Sequence, residues 1–341
     1  MLEKIASGTE GRDSLTKPGR TADDGAGEAC LTEWEPWNSE LWYNQPVRVR
    51  HSLHNVSLFG TDTLAELIEN YPRKDYSIIH MGPQGTERRF WREGDLTGLS
   101  GHAVLEAISK GRFWLNLRRT NLIDTRYNAI LHSVFAELEQ NVPALKTFDP
   151  KCGILISSPL AQVYYHADLP GQLLFQIAGR KRIYFYPPAQ PFLKPEHLEH
   201  IAIYGIEVDI PYASWYDQYA QVYDLEPGQM VHWPLNAPHR VENNDCLNVS
   251  MTVEYWSEPI RRTNMVIRAN GIMRYRFGWI PTSSSLRDFH SWVKLFSKRC
   301  CGTRPGRRSR RPNVDRLNSG STAPTWVQSW SSQSLRRRSD L

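Results

Sequence analysis

The sequence lacks any apolar run approaching the roughly 20 residues that cross a bilayer, so no membrane-spanning helix is expected. Its start, "MLEKIASGTEGRDSLTKPGRTADDGAGEAC", lacks the apolar segment of a secretory signal. Residues 1–33 read as a disordered leader. Cysteine is scarce: Cys30, Cys152, Cys246, Cys300 and Cys301 show no CxxC spacing. An odd count with no signal excludes a disulfide framework and points to a reducing, cytoplasmic setting. Adjacent Cys300 and Cys301 have no further ligands around them and read as incidental.

Net positive charge is confined to one end. Of the formal +5, residues 302–341 contribute nine Arg, no Lys and two Asp, a net of +7, which leaves residues 1–301 near −2. The tail, 301–341, contains "RPGRRSRRPN" and "LRRRSD" without apolar periodicity. Clustered arginine binds phosphates weakly and without sequence preference, so nucleic acid is one candidate partner. A solvated, disordered end is the other reading. Trp326 and Trp330 stand out there as a candidate docking spot.

Aromatics are plentiful, with 12 Trp and 15 Tyr, which suits an aromatic-lined core or groove. Residues 34–150 read as a mixed helical and strand part. "TDTLAELIENYPR" predicts a helix, with Thr63 and Glu66 at capping-box spacing and Pro72 as its stop. "SGHAVLEAISKG" predicts a second, from Ser100 as N-cap to Gly111. "RFWLNLRR" alternates as a strand, and a third helix is expected over 124–140, burying Tyr127, Ile130, Leu131, Val134, Phe135 and Leu138.

From Cys152 the period becomes two. Eight short strands, from "CGILISSP" to "CLNVSMTVEYW", are parted by Gly, Pro and Asn. The expected fold class is mainly β with flanking helices. Residues 151–257 would form a double-stranded β-helix, a jelly-roll or cupin-like barrel, which solves the problem of open sheet edges. An insertion over 189–219 is a candidate functional rim. The extension 258–300 carries a helix over roughly 285–297, where Leu286, Phe289, Val293 and Phe296 repeat at helical spacing, while 259–279 receives no element.

Two stretches carry chemistry. In "YYHAD", His166 and Asp168 are two apart, so on a strand both face one side and hold a metal together. In "EPGQMVHWPLNAPHRVEN", the spacing from Gly228 through Pro234 and Asn236 to His239 and Asn243 fits the second cupin motif. Asn236 stands where that motif has glycine, and asparagine tolerates the left-handed turn. His166, Asp168 and His239 together make a two-histidine, one-carboxylate set. It leaves one coordination face open, which suits non-haem Fe(II) chemistry rather than structural zinc.

With "IAGRKRIYFYPP" and "TVEYW" added, the chain resembles the JmjC family of Fe(II)- and 2-oxoglutarate-dependent oxygenases, its protein-hydroxylase-like branch and bacterial cupin-like relatives. The resemblance covers 152–255 well and the N-terminal part loosely. It implies His166, Asp168 and His239 as iron ligands, 2-oxoglutarate as co-substrate, and Lys181 on the far carboxylate of that dianion. It also implies hydroxylation or demethylation of a substrate that includes protein side chains, and a homodimer formed through the C-terminal helix. Two positions depart from the family: Val163 replaces a threonine, and Glu254 replaces an asparagine. Candidate replacement donors are Tyr164 and Asn248, with Tyr184, Gln176 and Asn116. His232, His197, His200, Trp114, Trp233, Trp215 and Tyr216 read first as packing or surface residues. The competing reading is a non-catalytic, metal-retaining cupin module that binds a ligand or partner; a third is a cupin isomerase or an oxygenase that does not use 2-oxoglutarate.

Overall fold

The computed structural model describes residues 29–81, 92–205 and 210–280. The N-terminal part runs β1 (Leu31–Thr32), α1 (Pro36–Leu41), β2 (Val47–His51), α2 (Thr61–Glu69), β3 (Tyr76–His80), β4 (Arg92–Glu93), α3 (Gly101–Lys110), β5 (Phe113–Leu117), α4 (Thr120–Ile123) and α5 (Thr125–Asn141). Then come β6 (Thr147–Ser157), β7 (Gln162–His166), β8 (Gly171–Ala178), β9 (Lys181–Phe185), α6 (Pro195–Tyr204), β10 (Gln221–Leu225), β11 (Gln229–His232), β12 (His239–Asn243), β13 (Asn248–Ser257) and α7 (Glu258–Phe277). Each of the eight expected barrel strands is present.

Two antiparallel sheets result. The larger has the order β1-β2-β11-β8-β13-β6-β5-β3-β4, the smaller β10-β9-β12-β7. Strands from both halves of the barrel sequence alternate within each sheet, which is the jelly-roll arrangement. The period-two pattern decides the faces. On β13, Val249, Met251, Val253 and Tyr255 join the core built with α5, whose Tyr127, Leu131, Val134, Phe135 and Leu138 are buried there. The alternate positions face the barrel interior. The inner faces meet in an apolar cluster that includes Leu174, Ile183, Phe185, Val231, Trp233 and Val241.

Two helix readings are adjusted. The helix α2 starts earlier than the Thr63–Glu66 pair implies: Gly60 precedes it, and the Thr63 hydroxyl bonds the Ser57 carbonyl instead of capping. Residues 258–277, given no element from sequence, form α7. Its apolar stripe is narrow because it packs on α6 through Gly271, where an added Cβ would lie 2.6 Å from Ile203 Cδ1 and 3.0 Å from the Glu199 carbonyl. Such close packing by a bare backbone leaves little hydrophobic periodicity to read. The helix expected over 285–297, the leader up to residue 28, the arginine tail, Cys300 and Cys301 lie outside the described residues. No helix among the described residues is long and apolar enough to cross a membrane.

The hairpin between β8 and β9 turns at Gly179, whose φ is +75°. An added Cβ there would overlap the Leu247 carbonyl. Gly179→Ala should lower stability by roughly 1–3 kcal/mol from the left-handed backbone alone, with the clash added. Chemical denaturation checks this, and an unchanged midpoint would contradict it.

Candidate metal centre and cavity

The antiparallel pairing of β7 with β12 sets His166 directly opposite His239. The two imidazole centroids are 4.1 Å apart. Asp168 lies just past the end of β7, and its Oδ2 is 3.5 Å from His239 Nε2. One ligand atom from each of the three residues falls within 4.8 Å of the others. Each imidazole is held by its other nitrogen: His166 Nδ1 lies 2.7 Å from the Tyr164 carbonyl and His239 Nδ1 lies 3.1 Å from the Ala237 carbonyl. Carbonyls only accept, so Nδ1 carries the proton on both rings and Nε2 keeps its lone pair for a ligand. Burial, and then the neighbouring His166, hold the His239 imidazole well below the usual histidine range. It is therefore neutral, the form that binds a metal.

The turn before β12 behaves as its sequence suggests. Asn236 has φ +63°. It does more than glycine would, because its side-chain amide donates to the Asp168 carbonyl at 2.6 Å. From α7, Asn264 donates to the next carbonyl, that of Leu169, at 2.9 Å. The backbone carrying Asp168 is thus tied from two elements.

A cavity of about 290 Å³ opens at this set. Below the triad the strands step inward two residues at a time. Phe185 pairs with His239, Ile183 with Val241, and Lys181 with Asn243. The middle step is apolar: Ile183, Val241, Val163 and Leu174 line the cavity there. Val163, one of the two departures from the family resemblance, belongs to this waist. Lys181 lies one step beyond it, four residues or about 13 Å along the strands from His239's partner at ~3.3 Å per residue. It is 4% exposed. Among the described residues no carboxylate pairs with it, and burial pushes its ammonium down to about 7. Beyond the waist, polar groups bond one another. Gln176 donates to Asn248 Oδ1 at 2.8 Å, Ser250 donates to Gln176 Oε1 at 2.8 Å, and Asn243 donates to Ser157 Oγ at 2.8 Å.

The other sequence candidates separate. Tyr164 and Asn116 line the cavity, as do Trp114 and Trp233. Asn248 and Gln176 are tied together at the floor and do not line it; Asn248 Nδ2 is also committed, to the Cys246 carbonyl at 2.9 Å. Tyr184 is on the outer face of the smaller sheet, under the Arg240 guanidinium at 3.4 Å. His232 is buried and stacked on Trp42, with centroids 3.9 Å apart. His197 and His200 are half-buried on α6, and the His200 ring contacts Tyr204 and Tyr275. The 189–219 insertion packs Phe192 and Tyr216 against Tyr165 and Tyr186 behind the metal-site strands. Asp217 receives both the Tyr186 hydroxyl and Arg240 Nη2 at 2.6 Å. Trp215 stays 46% exposed; Glu207 and Asp209 lie outside the described residues.

Sequence reasoning missed the charged rim. Arg118, Arg119 and Lys151 line the cavity together with Glu254. Glu254 faces inward and is 3.9 Å from Lys151, which donates to Asp149 at 2.9 Å. Burial pushes the Glu254 carboxyl up, and Lys151 opposes that. The signal was available: Lys151 and Glu254 are register partners at inward positions of β6 and β13, but only strand pairing reveals it.

The family profile described as "Cupin-like domain" matches residues 44–262. No curated protein matches. Among solved structures, YcfD of Escherichia coli aligns with TM-score 0.45 and 16% identity over 86% of this chain and 64% of that one. This chain therefore spans just under two thirds of that protein. A further structure, of YcfD, a ribosomal oxygenase from Escherichia coli in complex with cobalt and 2-oxoglutarate, aligns with TM-score 0.46 and 16% identity over 80% of this chain and 68% of that one.

Lys181→Met removes a buried, unpaired charge and should raise stability at pH 7 by roughly 1–3 kcal/mol. Wild-type stability should gain an extra rise with pH between about 7 and 10.5, where the unfolded lysine holds a proton that the folded one has lost. Denaturant midpoints against pH for both proteins check this; equal slopes, or a destabilised variant, would refute it.

Proposed function

The chain belongs to the cupin-like domain family, and on that footing we propose that it is an Fe(II)- and 2-oxoglutarate-dependent dioxygenase that hydroxylates, or demethylates, its substrate. The observation that carries this reading is one arrangement. Two imidazoles and a carboxylate converge at the rim of the barrel, and a buried lysine, with no carboxylate partner among the described residues, lies on the same strand face one step beyond the apolar waist of the cavity. The donor set fits iron: three ligands of mixed N and O type leave a face open. The lysine fits one end of a dianion, because a desolvated ammonium is stabilised by a carboxylate brought to it.

His166, Asp168 and His239 would hold the metal, with Tyr164 and Ala237 carbonyls fixing the ring orientations. Lys181 would anchor the far carboxylate of 2-oxoglutarate, and Ile183, Val163 and Val241 would sheath its methylenes. Bound there, iron and the keto acid supply oxidative decarboxylation to succinate and carbon dioxide, coupled to oxidation of a substrate C–H bond. The apolar waist and Trp233 exclude water from that space, which limits side reactions. Asn236 keeps Asp168 in place during the cycle. A protein side chain is the substrate class this reading favours.

Val163 and Glu254 favour a second reading, a metal-retaining module that binds without turnover. Anaerobic titration with Fe(II) and 2-oxoglutarate separates the two. The oxygenase reading predicts a visible metal-to-ligand charge-transfer band that is absent in His239→Ala and weakened in Lys181→Met. Iron binding without the band would sink the 2-oxoglutarate assignment. Asn236→Gly should keep the turn yet weaken Co(II) binding by about tenfold, since outer partners of metal ligands carry that much affinity; equal Co(II) affinity would show that the Asp168 tie is dispensable.

A further inference from the structure

Three cysteines among the described residues carry free thiols: Cys30 and Cys152 are buried, and Cys246 is half-buried. Cys246 lies in the turn between β12 and β13, which folds back on the β8–β9 hairpin. Its sulfur accepts the Arg180 N–H at 3.2 Å and faces the Asn248 amide Nδ2 at 3.7 Å. The Asn244 N–H closes the same contact on the Arg180 carbonyl at 3.0 Å. The sulfur is therefore pinned beside the residue that precedes Lys181, with two N–H donors turned toward it.

Lys181 is the second half of the arrangement. It is 4% exposed, and its strand neighbours at this level, Leu225 on β10 and Asn243 on β12, are uncharged. Burial lowers its ammonium to about 7, and the Cys246 sulfur opposes that shift, so the two groups are close enough to feel each other's charge. A buried ammonium with no carboxylate beside it is stabilised by an anion formed next to it. A protonated thiol supplies none. A sulfenic acid does, because it carries an ionisable oxygen. Donors for that oxygen are already in place: the Arg180 N–H, the Asn248 amide and Lys181.

We propose that Cys246 is a site of modification by peroxide, and that its sulfenate pairs with Lys181 and takes the place of the co-substrate's far carboxylate there. The step balances. Hydrogen peroxide oxidises the sulfur by two electrons: an S–O bond forms as the O–O bond breaks, and the thiol proton leaves with the released oxygen as water. The sulfenic acid proton then passes to the Lys181 amine, which leaves a sulfenate facing an ammonium. Burial shuts Cys30 and Cys152 away from peroxide, whereas solvent reaches Cys246. A thiol reductant returns the sulfur to its starting state. The displacement of 2-oxoglutarate rests on the oxygenase reading; the oxidation and the ion pair do not.

The test uses the full chain with Cys300→Ser and Cys301→Ser, treated with hydrogen peroxide before metal is added. Dimedone trapping with peptide mass spectrometry should label Cys246 at least about tenfold more than Cys30 or Cys152. Denaturant midpoints of the oxidised protein should lose the extra rise between about pH 7 and 10.5, since a sulfenate keeps Lys181 protonated in the folded state as in the unfolded one. Dithiothreitol should restore the rise. Cys246→Ser, or Cys246→Ala if that variant does not fold, should keep it through peroxide treatment. With Mn(II) bound, oxidation should weaken 2-oxoglutarate binding at least about tenfold by calorimetry. No label on Cys246 overturns the proposal, as does a rise that survives oxidation, or 2-oxoglutarate that binds both forms equally. If 2-oxoglutarate binds neither form while oxidation removes the rise, the oxygenase reading fails and the Cys246–Lys181 pair stands.

Discussion

Everything at the rim depends on one strand register, the antiparallel pairing that places His239 across from His166. A slip of one residue would turn every side chain of β12 to the opposite face. His239 would leave the cavity and Arg240 would enter it. The outer face resists such a slip. Arg240 is enclosed there by Asp217, Tyr186, Glu242 and the Tyr184 ring, drawn from the insertion and from both neighbouring positions of the sheet. Tyr165, beside His166, is buried among Tyr186, Tyr212 and Tyr216. The insertion therefore acts first as a buttress behind the ligand strands, and among its described residues Trp215, Tyr212 and Tyr219 are large side chains that stay exposed.

The same register grades the barrel interior by polarity. Charged groups gather at the rim, aliphatic side chains form the waist, and a bonded polar floor surrounds Lys181. In the low-dielectric interior each isolated charge is expensive, so each is either paired or positioned for a ligand. Among the described residues Lys181 is a buried cation that no carboxylate pairs with, while Glu254 faces Lys151 across the strands. Val163 fits this grading as part of the waist.

Much of this was legible in the chain. Period-two alternation and Gly, Pro and Asn punctuation locate the barrel strands, because both signals arise from local backbone geometry. The triad was legible because its spacing is set by one strand and one tight turn. Helix α7 was not, since its contact with α6 runs through Gly271 rather than an apolar stripe. The positions of Asn248 and Tyr184 were not either: whether a strand residue faces the cavity, the floor or the outer surface depends on the neighbour that pairs with it.

The sequence by itself determined the strand periodicity, the left-handed turn at Asn236 and the identity of the residues offered to a metal. These are local consequences of residue type and spacing. Only the tertiary structure decided that Lys181 is buried with no carboxylate beside it among the described residues, that Lys151 faces Glu254, and that the 189–219 insertion braces the ligand strands. Those facts depend on contacts between segments from 23 to 103 residues apart, and no local pattern encodes which charges a folded chain will bring together.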